Sequence, residues 1–412
     1  MKNQKGSARP IGAQYNAPMR LFRPKRTYLD YASAPPVHED ALSAMRAAES
    51  LVGNAGAIHK EALAALAALD DARARVAKLL EVKSRELVFT SGLTESNNIA
   101  ILGFARALEM RRRSLAGTEW IVSAIEHASV LDCFGEVERM GGTVSHVMPN
   151  ERGIISPEAV QALLKRETVF VSIGWGNNEI GTIQLLGKIA RVLEAHEKKY
   201  GTVVLLHSDA GQAPLYEPTT AHTLGVDLLS LGSNKLYGPH GVGGLYLSNR
   251  SDIARIMQGG PQERGLRAGT ENVALAAGFA AAFEAVASVR ERESKRLRDL
   301  RDEFARTLLQ KIPPLVVNGD LRESLPHMLN VSIPDINSEY VVLRLDHEGI
   351  ACSTKSACRE GEEQESHVVL ALGGPPWRSQ NTLRFSLGRD TTRNALNTVS
   401  EKLVCIIDKE MP

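Results

Sequence analysis

The chain is short of cysteine, of aromatic residues and of net charge, and each shortage closes off a class of function. Only four cysteines occur in 412 residues: Cys133, Cys352, Cys358 and Cys405. They are too few and too scattered for a disulfide scaffold. Cys352 and Cys358 lack zinc-finger spacing and no second pair follows, so no metal site is expected and a reducing cytoplasm is the default setting. Lys and Arg number 49 against 48 Asp and Glu, a formal charge of +1. That balance gives no electrostatic case for nucleic acid or for an acidic membrane surface. No apolar run reaches the length needed to cross a bilayer. Internal repeats and low-complexity blocks are missing. So are the P-loop and GxGxxG patterns, which disfavours nucleotide binding. The first 28 residues hold Lys2, Lys5, Arg9, Arg20, Arg23, Lys25 and Arg26 but no Asp or Glu. A disordered basic tail over residues 1–26 is expected. An acid-poor, Arg-containing start also suits an organelle transit peptide, but the lack of an apolar centre argues against a secretory signal.

What is present is a large apolar fraction, 43%, enough for one large body or two domains with ample core. From roughly residue 60 to 290, short apolar runs alternate with longer amphipathic stretches. The runs include Leu87-Val88-Phe89, Trp120-Ile121-Val122, Val169 to Ile173, Val203 to Leu206 and Asp227 to Ser230. Continuous apolar strands between helices predict an α/β fold with a mostly parallel sheet covered on both faces. Ligands of such sheets collect beyond the carboxyl ends of the strands. From about 284 to 311 a charged helix is predicted, with the stripe Leu297, Leu300, Phe304, Leu308, stopped by Ile312-Pro313-Pro314. The rest, with strand-like Met328–Ile333 and Leu383–Ser386, reads as a smaller α+β domain. A large domain over 27–290 and a small one over 291–412 are therefore expected, with residues 27–42 able to pack against the small one.

The residues that carry chemistry lie just after the strands. Asp209 ends Leu205-Leu206-His207-Ser208-Asp209, and Lys235 follows 26 positions later in Gly232-Ser233-Asn234-Lys235-Leu236-Tyr237-Gly238-Pro239. An acid at a strand end and a Lys in a Ser/Gly-rich turn one repeat later suit pyridoxal phosphate. That cofactor needs an amine for its aldehyde and an anion for its ring nitrogen. Gln212 is placed to bond the ring's phenolic oxygen. Thr90 to Glu95 follows a strand and opens a helix, a seat for phosphate. His127, in Glu126-His127-Ala128-Ser129, suits a ring that stacks on the pyridine and moves protons, and Asn177 to Thr182 offers a polar loop to the same rim. Taken singly, each has a plainer use: a helix-capping Asp, a solvated loop Lys, a turn His, a helix cap.

Taken together and in this order, the segments resemble the fold-type I (aspartate-aminotransferase-like) pyridoxal phosphate enzymes of the class V aminotransferase group, and within it the cysteine desulfurases. The resemblance covers roughly residues 27 to 392. It rests on Tyr28-Leu29-Asp30-Tyr31-Ala32, Phe89 to Asn98, Val171 to Thr182, Gln262 to Thr270, Ser356-Ala357-Cys358 and Leu383 to Arg389. It implies that Lys235 holds the cofactor's aldehyde, Asp209 its ring nitrogen, Gln212 its phenolic oxygen, and that His127 stacks on it. Asn178 would touch cofactor or substrate. Leu93 and Thr94 would bind the phosphate, and Thr270 would reach the phosphate of a partner subunit in a homodimer. Arg384 would clamp the carboxylate of the substrate, L-cysteine. Cys358, in a polar stretch between Lys355 and Arg359, would be the sulfur-accepting nucleophile; Cys133 and Cys405 read instead as buried structural cysteines. Room for a long mobile loop around Cys358 resembles the branch that hands sulfur to scaffold or carrier proteins, for iron–sulfur cluster assembly, tRNA thiolation or other thio-modification.

The chain departs from the family before the lysine, where Ser, a small residue and His are usual. Gly232, Ser233 and Asn234 stand there, so two phosphate contacts are altered. Ser233 is expected to replace the lost hydroxyl and Asn234 to keep a donor. The loop after Cys358 is acidic, with Glu360, Glu362, Glu363 and Glu365. Two other readings stay open: a selenocysteine lyase or another class V enzyme, and an interaction protein that kept the fold with weakened catalysis.

Overall fold

Apolar strand-forming runs and amphipathic helical stretches alternate along the chain, and the backbone follows them. The structure is a computed structural model that describes residues 26–354 and 365–410. The first half runs β1 (Thr27–Tyr28), α1 (Glu39–Glu49), α2 (Lys60–Leu80), β2 (Leu87–Thr90), α3 (Leu93–Arg112), β3 (Glu119–Ser123), α4 (Ala128–Arg139) and β4 (Thr143–Val147). There follow α5 (Pro157–Leu163), β5 (Thr168–Ser172), α6 (Leu186–Tyr200), β6 (Leu205–Asp209), α7 (Ala221–Leu224), β7 (Leu228–Gly232) and β8 (Gly243–Leu247). The second half holds α8 (Val273–Lys311), β9 (Val316–Val317), β10 (Met328–Ser332), α9 (Ser338–His347) and β11 (Ile350–Ala351). It ends with α10 (His367–Ala371), α11 (Trp377–Gln380), β12 (Thr382–Ser386) and α12 (Arg393–Glu410).

Seven strands form one sheet in the order β2-β8-β7-β6-β5-β3-β4. Six run in one direction and β8 alone is antiparallel to both its neighbours. This is the predicted α/β fold with a mostly parallel sheet. β2, β3, β5 and β7 are buried at every residue, as strands covered on both faces must be. The sequence reading passed over two strands. β4 is the sheet edge and largely exposed, so Thr143-Val144-Ser145-His146-Val147 alternates and offers no apolar run. β8 opens on Gly243-Gly244, a pair that normally signals a turn.

Because the parallel strands share one direction, Thr90, Ser123, Ser172, Asp209 and Gly232 all end at one edge of the sheet. One face packs Phe104, Trp120, Phe134 and Phe170 into an aromatic cluster. The other joins a core that continues into the C-terminal half through Phe279, Phe283, Phe304 and Phe385.

The C-terminal half carries the antiparallel sheet β12-β10-β9. β1 pairs parallel with β11, Thr27 opposite Ile350, so the start of the described chain belongs with this half. The division expected near residue 290 falls inside α8, one continuous 39-residue helix. Its predicted start near 284 is corrected to Val273, capped by the Asn272 side chain, which accepts from Leu275 N–H. Ala276, Phe279, Ala280, Ala282 and Phe283 are buried around most of the first turns, which erases the single apolar stripe that marks a surface helix. An 18-residue window of α8 is long and apolar enough to cross a membrane by composition alone, contrary to the sequence reading; 44% of it is buried inside the protein.

Cys133 and Cys352 are buried and Cys405 is exposed, which corrects the expectation for Cys405. The buried stripe of α12 runs Leu396, Val399, Leu403, Ile406, Ile407, and helical spacing turns position 405 away from it.

Candidate active site

At the carboxyl edge of the large sheet lies a cavity of about 490 Å³, within the usual range for a small-molecule site. Leu93, Thr94, His127, Asn178, Asp209, Gln212, Asn234, Lys235 and Arg384 line it. These residues span nearly 300 positions, and the parallel topology explains most of the convergence. Gly232, Ser233 and Thr270 do not line it; Thr270 is exposed.

One end is organised around Asp209. Its Oδ2 accepts from Asn97 Nδ2 at 2.8 Å and its Oδ1 from Gly211 N–H at 2.9 Å. Each oxygen keeps a further lone pair for a protonated ring nitrogen. Gln212 is 3% exposed; its Nε2 donates to Ala32 O at 2.9 Å and its Oε1 faces His327 Nε2 at 3.3 Å. Its amide is thus fixed at the cavity wall. His127 caps α4: Nδ1 accepts from Ser129 N–H at 3.1 Å and lies 2.9 Å from Ser129 Oγ. Burial lowers the His127 pKa below the ordinary histidine value, against the pull of Asp209, and the charge of Lys235 adds to the lowering. The neighbouring Glu126 is an acid that sequence reasoning did not single out. Burial pushes its carboxyl up to about 8 while Gly174 N–H, donating to Oε1 at 2.7 Å, works the other way.

The second part of the wall is Lys235 with the start of α3. Lys235 ends a short 3-10 turn after β7, and its Nζ donates to Ala32 O at 2.9 Å and Ser33 O at 2.6 Å. Gly92 caps α3 at φ 148° with open space beside its Cα. This backbone conformation favours glycine, and it leaves the first-turn N–H groups of α3 accessible to an anion. Glu95, which also lines the cavity, is engaged by Ser91 N–H and by Arg267 Nε at 3.1 Å. Asn234 faces the cavity. Ser233 does not: its Oγ is fully buried without a partner, and Gly238 packs against it so closely that an added Cβ would meet it at 2.1 Å. The expected substitution of Ser233 for the missing hydroxyl is therefore not supported by this geometry. His240 and Gly241 complete this wall; nothing in the Gly238-Pro239-His240-Gly241 turn marked them beforehand.

The opposite end belongs to Arg384, which is 2% exposed and not the surface residue that a lone Arg on a strand suggests. Nη2 donates to Asp30 Oδ1 at 2.9 Å and Ser33 Oγ at 2.7 Å, and Nη1 to Asn178 O at 3.1 Å. Its Nε is buried with no partner. An orphaned cationic donor at a cavity wall is costly unless an anion meets it. Asp30 also accepts from Ser353 Oγ at 3.1 Å, and Ser353 exchanges both main-chain bonds with Arg384. Asp30 was visible in the sequence only as part of the Tyr28–Ala32 motif, with no role attached.

Cys358, Lys355, Arg359, Glu360, Glu362 and Glu363 lie outside the described residues. The chain on either side is fixed to the cavity rim: Ser353 as above, then Ser366 Oγ donating to Glu179 Oε2 at 2.6 Å and His367 Nε2 at 2.9 Å from Glu126 O. Val368, Val369 and Leu372 pack on Ile125 and Ile180.

The donor set fits pyridoxal phosphate. An amine and a carboxylate face one cavity, a helix start with an open glycine cap offers an anion seat, and a buried guanidinium with an orphaned Nε awaits a carboxylate. The comparisons with known proteins agree. The aminotransferase class-V family model matches residues 27–399. The cysteine desulfurase IscS of Dictyoglomus turgidum is 36% identical over 386 residues, 93% of this chain and 95% of that one. Among solved structures, a NifS-like protein superposes with a TM-score of 0.85 at 30% identity, covering 93% of this chain and all of that one. A structure described as SspA in complex with cysteine has a TM-score of 0.73 at 31% identity over 88% of this chain and 98% of that one. With its fold, its cavity and its sequence in agreement, the chain belongs to the aminotransferase class-V family.

Proposed function

We propose that this enzyme is a cysteine desulfurase that takes sulfur from L-cysteine onto Cys358 and releases L-alanine. The observation that carries the reading is the convergence of Lys235, Asp209, His127 and Arg384 on one cavity of cofactor size. Two desulfurase relatives at 36% and 34% identity support it, as does the relative whose structure holds cysteine.

Bound pyridoxal phosphate supplies an electron-accepting ring that eases loss of the substrate α-proton and departure of sulfur. The protein's own groups do the rest. Lys235 Nζ would hold the cofactor's aldehyde, and Lys235 or His127 would move the α-proton. Asp209 keeps the ring nitrogen protonated, an ionic contact worth more in a desolvated site than in water. The neutral His127, with Nδ1 occupied as an acceptor, presents its other ring nitrogen for proton transfer. Arg384 is the group for the substrate carboxylate: Asp30, Ser33 and Asn178 hold its two terminal nitrogens in place, and its Nε has no other partner. The Cys358 thiolate attacks the sulfur of bound cysteine: an S–S bond forms, the Cβ–S bond breaks, and its electron pair ends in a C–H bond of alanine. Cysteine and the Cys358 thiol thus become alanine and a Cys358 persulfide, with no external oxidant. The persulfide passes to an acceptor protein, and the working unit is a cytoplasmic homodimer whose partner places Thr270 at the phosphate.

The test is to give purified protein L-cysteine and a reductant and to measure sulfide and alanine. Both are expected from the native chain and neither above background from Cys358→Ala. Undiminished turnover of selenocysteine by Cys358→Ala, with no native activity on cysteine, would favour a lyase. A protein that stays colourless with added pyridoxal phosphate would favour an interaction role.

A further inference from the structure

His127 and Asp209 are joined by two residues that lie in the sequence motifs with no role attached and that the proposed reaction does not use. Asn97 is fully buried. Its Nδ2 reaches Asp209 Oδ2 at 2.8 Å and Ser129 Oγ at 3.0 Å, and Ser129 Oγ lies 2.9 Å from His127 Nδ1. The direction of every bond in this line follows from two facts. An ionised carboxylate only accepts, so Asn97 must turn its NH2 toward Asp209. The second amide hydrogen then goes to Ser129 Oγ. That oxygen has a second lone pair and could also accept from a protonated Nδ1, so the direction of the last bond is fixed by a further donor. The Ser129 main-chain N–H donates to the same Nδ1 at 3.1 Å. With that donor facing it, Nδ1 carries no proton, the Ser129 hydroxyl becomes its second donor, and the hydrogen of the neutral ring sits on Nε2.

We propose that Asn97 and Ser129 are positioning residues that hold His127 in one tautomer beside Asp209, so that Nε2–H is the edge left for the cavity. This rests on the reading of His127 and Asp209 as cofactor residues and deepens it. Protonating His127 on Nδ1 would place a hydrogen against two donors, so the line disfavours the charged ring. Burial acts in the same direction, as do the charges of Lys235 and His367, while those of Asp209 and Glu179 oppose it; the adjacent Glu126 is held mostly protonated near neutral pH. The geometry thus adds a second cause, beside burial, for the lowered His127 pKa.

The experiment uses the full-length protein with 15N-labelled histidine, and long-range proton–nitrogen spectra assigned with His127→Gln. The native protein is expected to show the Nε2–H tautomer at His127. Ser129→Ala removes one donor to the neutral ring. Its proton-binding constant at His127 is expected to rise about threefold to tenfold, the effect of one net hydrogen bond. The acid limb of the pH–rate profile is expected to move up by the same factor, and Ser129→Thr, which keeps the hydroxyl, to restore both. Asn97→Ala frees the Ser129 hydroxyl and is expected to shift the constant the same way by less. An Nδ1–H tautomer in the native protein, or Ser129→Ala indistinguishable from native, overturns the proposal. Failure of the native protein to take up pyridoxal phosphate, read separately by its visible absorption, would instead refute the functional reading and leave the tautomer result standing.

Discussion

At the Asp209 end of the cavity, the groups stand on strand ends that follow one another along the chain, from Thr90 through His127 to Lys235. At the Arg384 end they come from residues 30, 33, 178, 353 and 384, drawn from both halves of the molecule. The first end rests on a seven-stranded sheet whose central strands are buried on both faces. The second depends on β1, β11 and β12, which bring Asp30, Ser353 and Arg384 together in the C-terminal half, meeting Asn178 from the side of the large sheet. One end is suited to keeping a cofactor, the other to receiving and releasing a substrate.

Substitutions that break this contrast differ in size. Lys235→Ala at the fixed end is expected to abolish sulfide release and the visible absorption of bound cofactor together, since no other lysine among the described residues lines the cavity. Arg384→Ala at the assembled end is expected to leave the absorption intact. It should raise the KM for L-cysteine on the order of 100-fold, because truncating one member of a buried charged pair costs roughly 2–5 kcal/mol. Asp30→Asn is a milder cut at the same end. Losing the charge that Arg384 and Ser353 share is expected to lower unfolding stability by about 2 kcal/mol in urea titration, with KM rising and cofactor binding unchanged.

Stability against pH sharpens the comparison further. Burial lowers the pKa of His207 and His327 to about 3. Their unfolded-state values are near 6.5, so the unfolded chain binds more protons between these limits. Stability is therefore lost as pH falls from about 6.5 toward 3. Glu126 acts in the opposite sense. Its folded value of about 8 lies above its ordinary 4.5, so its contribution is complete below about 4.5 and is lost as pH rises through about 8. Glu126→Gln, which imitates the neutral acid, is expected to raise Tm at pH 8 by several degrees and to change it little at pH 4. The smallest effect belongs to Ser233→Ala. Its hydroxyl is buried without a partner and away from the cavity, so cofactor affinity is expected to stay within twofold of native by absorbance titration, whereas Asn234→Ala weakens it.

The same contrast decides what could be read from the sequence. Asp209 and Lys235 were legible because a buried parallel strand writes a continuous apolar run, and its end is marked by the first polar residues after it. Arg384 was legible only through a family resemblance; its burial, and Asp30 as its partner, depend on β1 crossing to β11, which no local pattern announces. Asn97 stood in the Phe89–Asn98 motif with no role attached, for a different reason. It sits on the buried face of α3 among Ile99, Ala100 and Ile101, where one amide in an apolar helix carries no spacing signal. Ser233 was misread because a hydroxyl beside a lysine suggests phosphate, while the 3-10 turn at 233–235 directs it toward Gly238. Cys405 was misread from apolar neighbours whose helical phase turns it outward.

The central claim is that one amine, at position 235, carries the cofactor across from Asp209. Reducing the loaded enzyme with borohydride and mapping its peptides by mass spectrometry tests this most directly. The account predicts a single pyridoxyl group, on Lys235, lost in Lys235→Ala; a pyridoxyl group on another lysine, or on none, would contradict it.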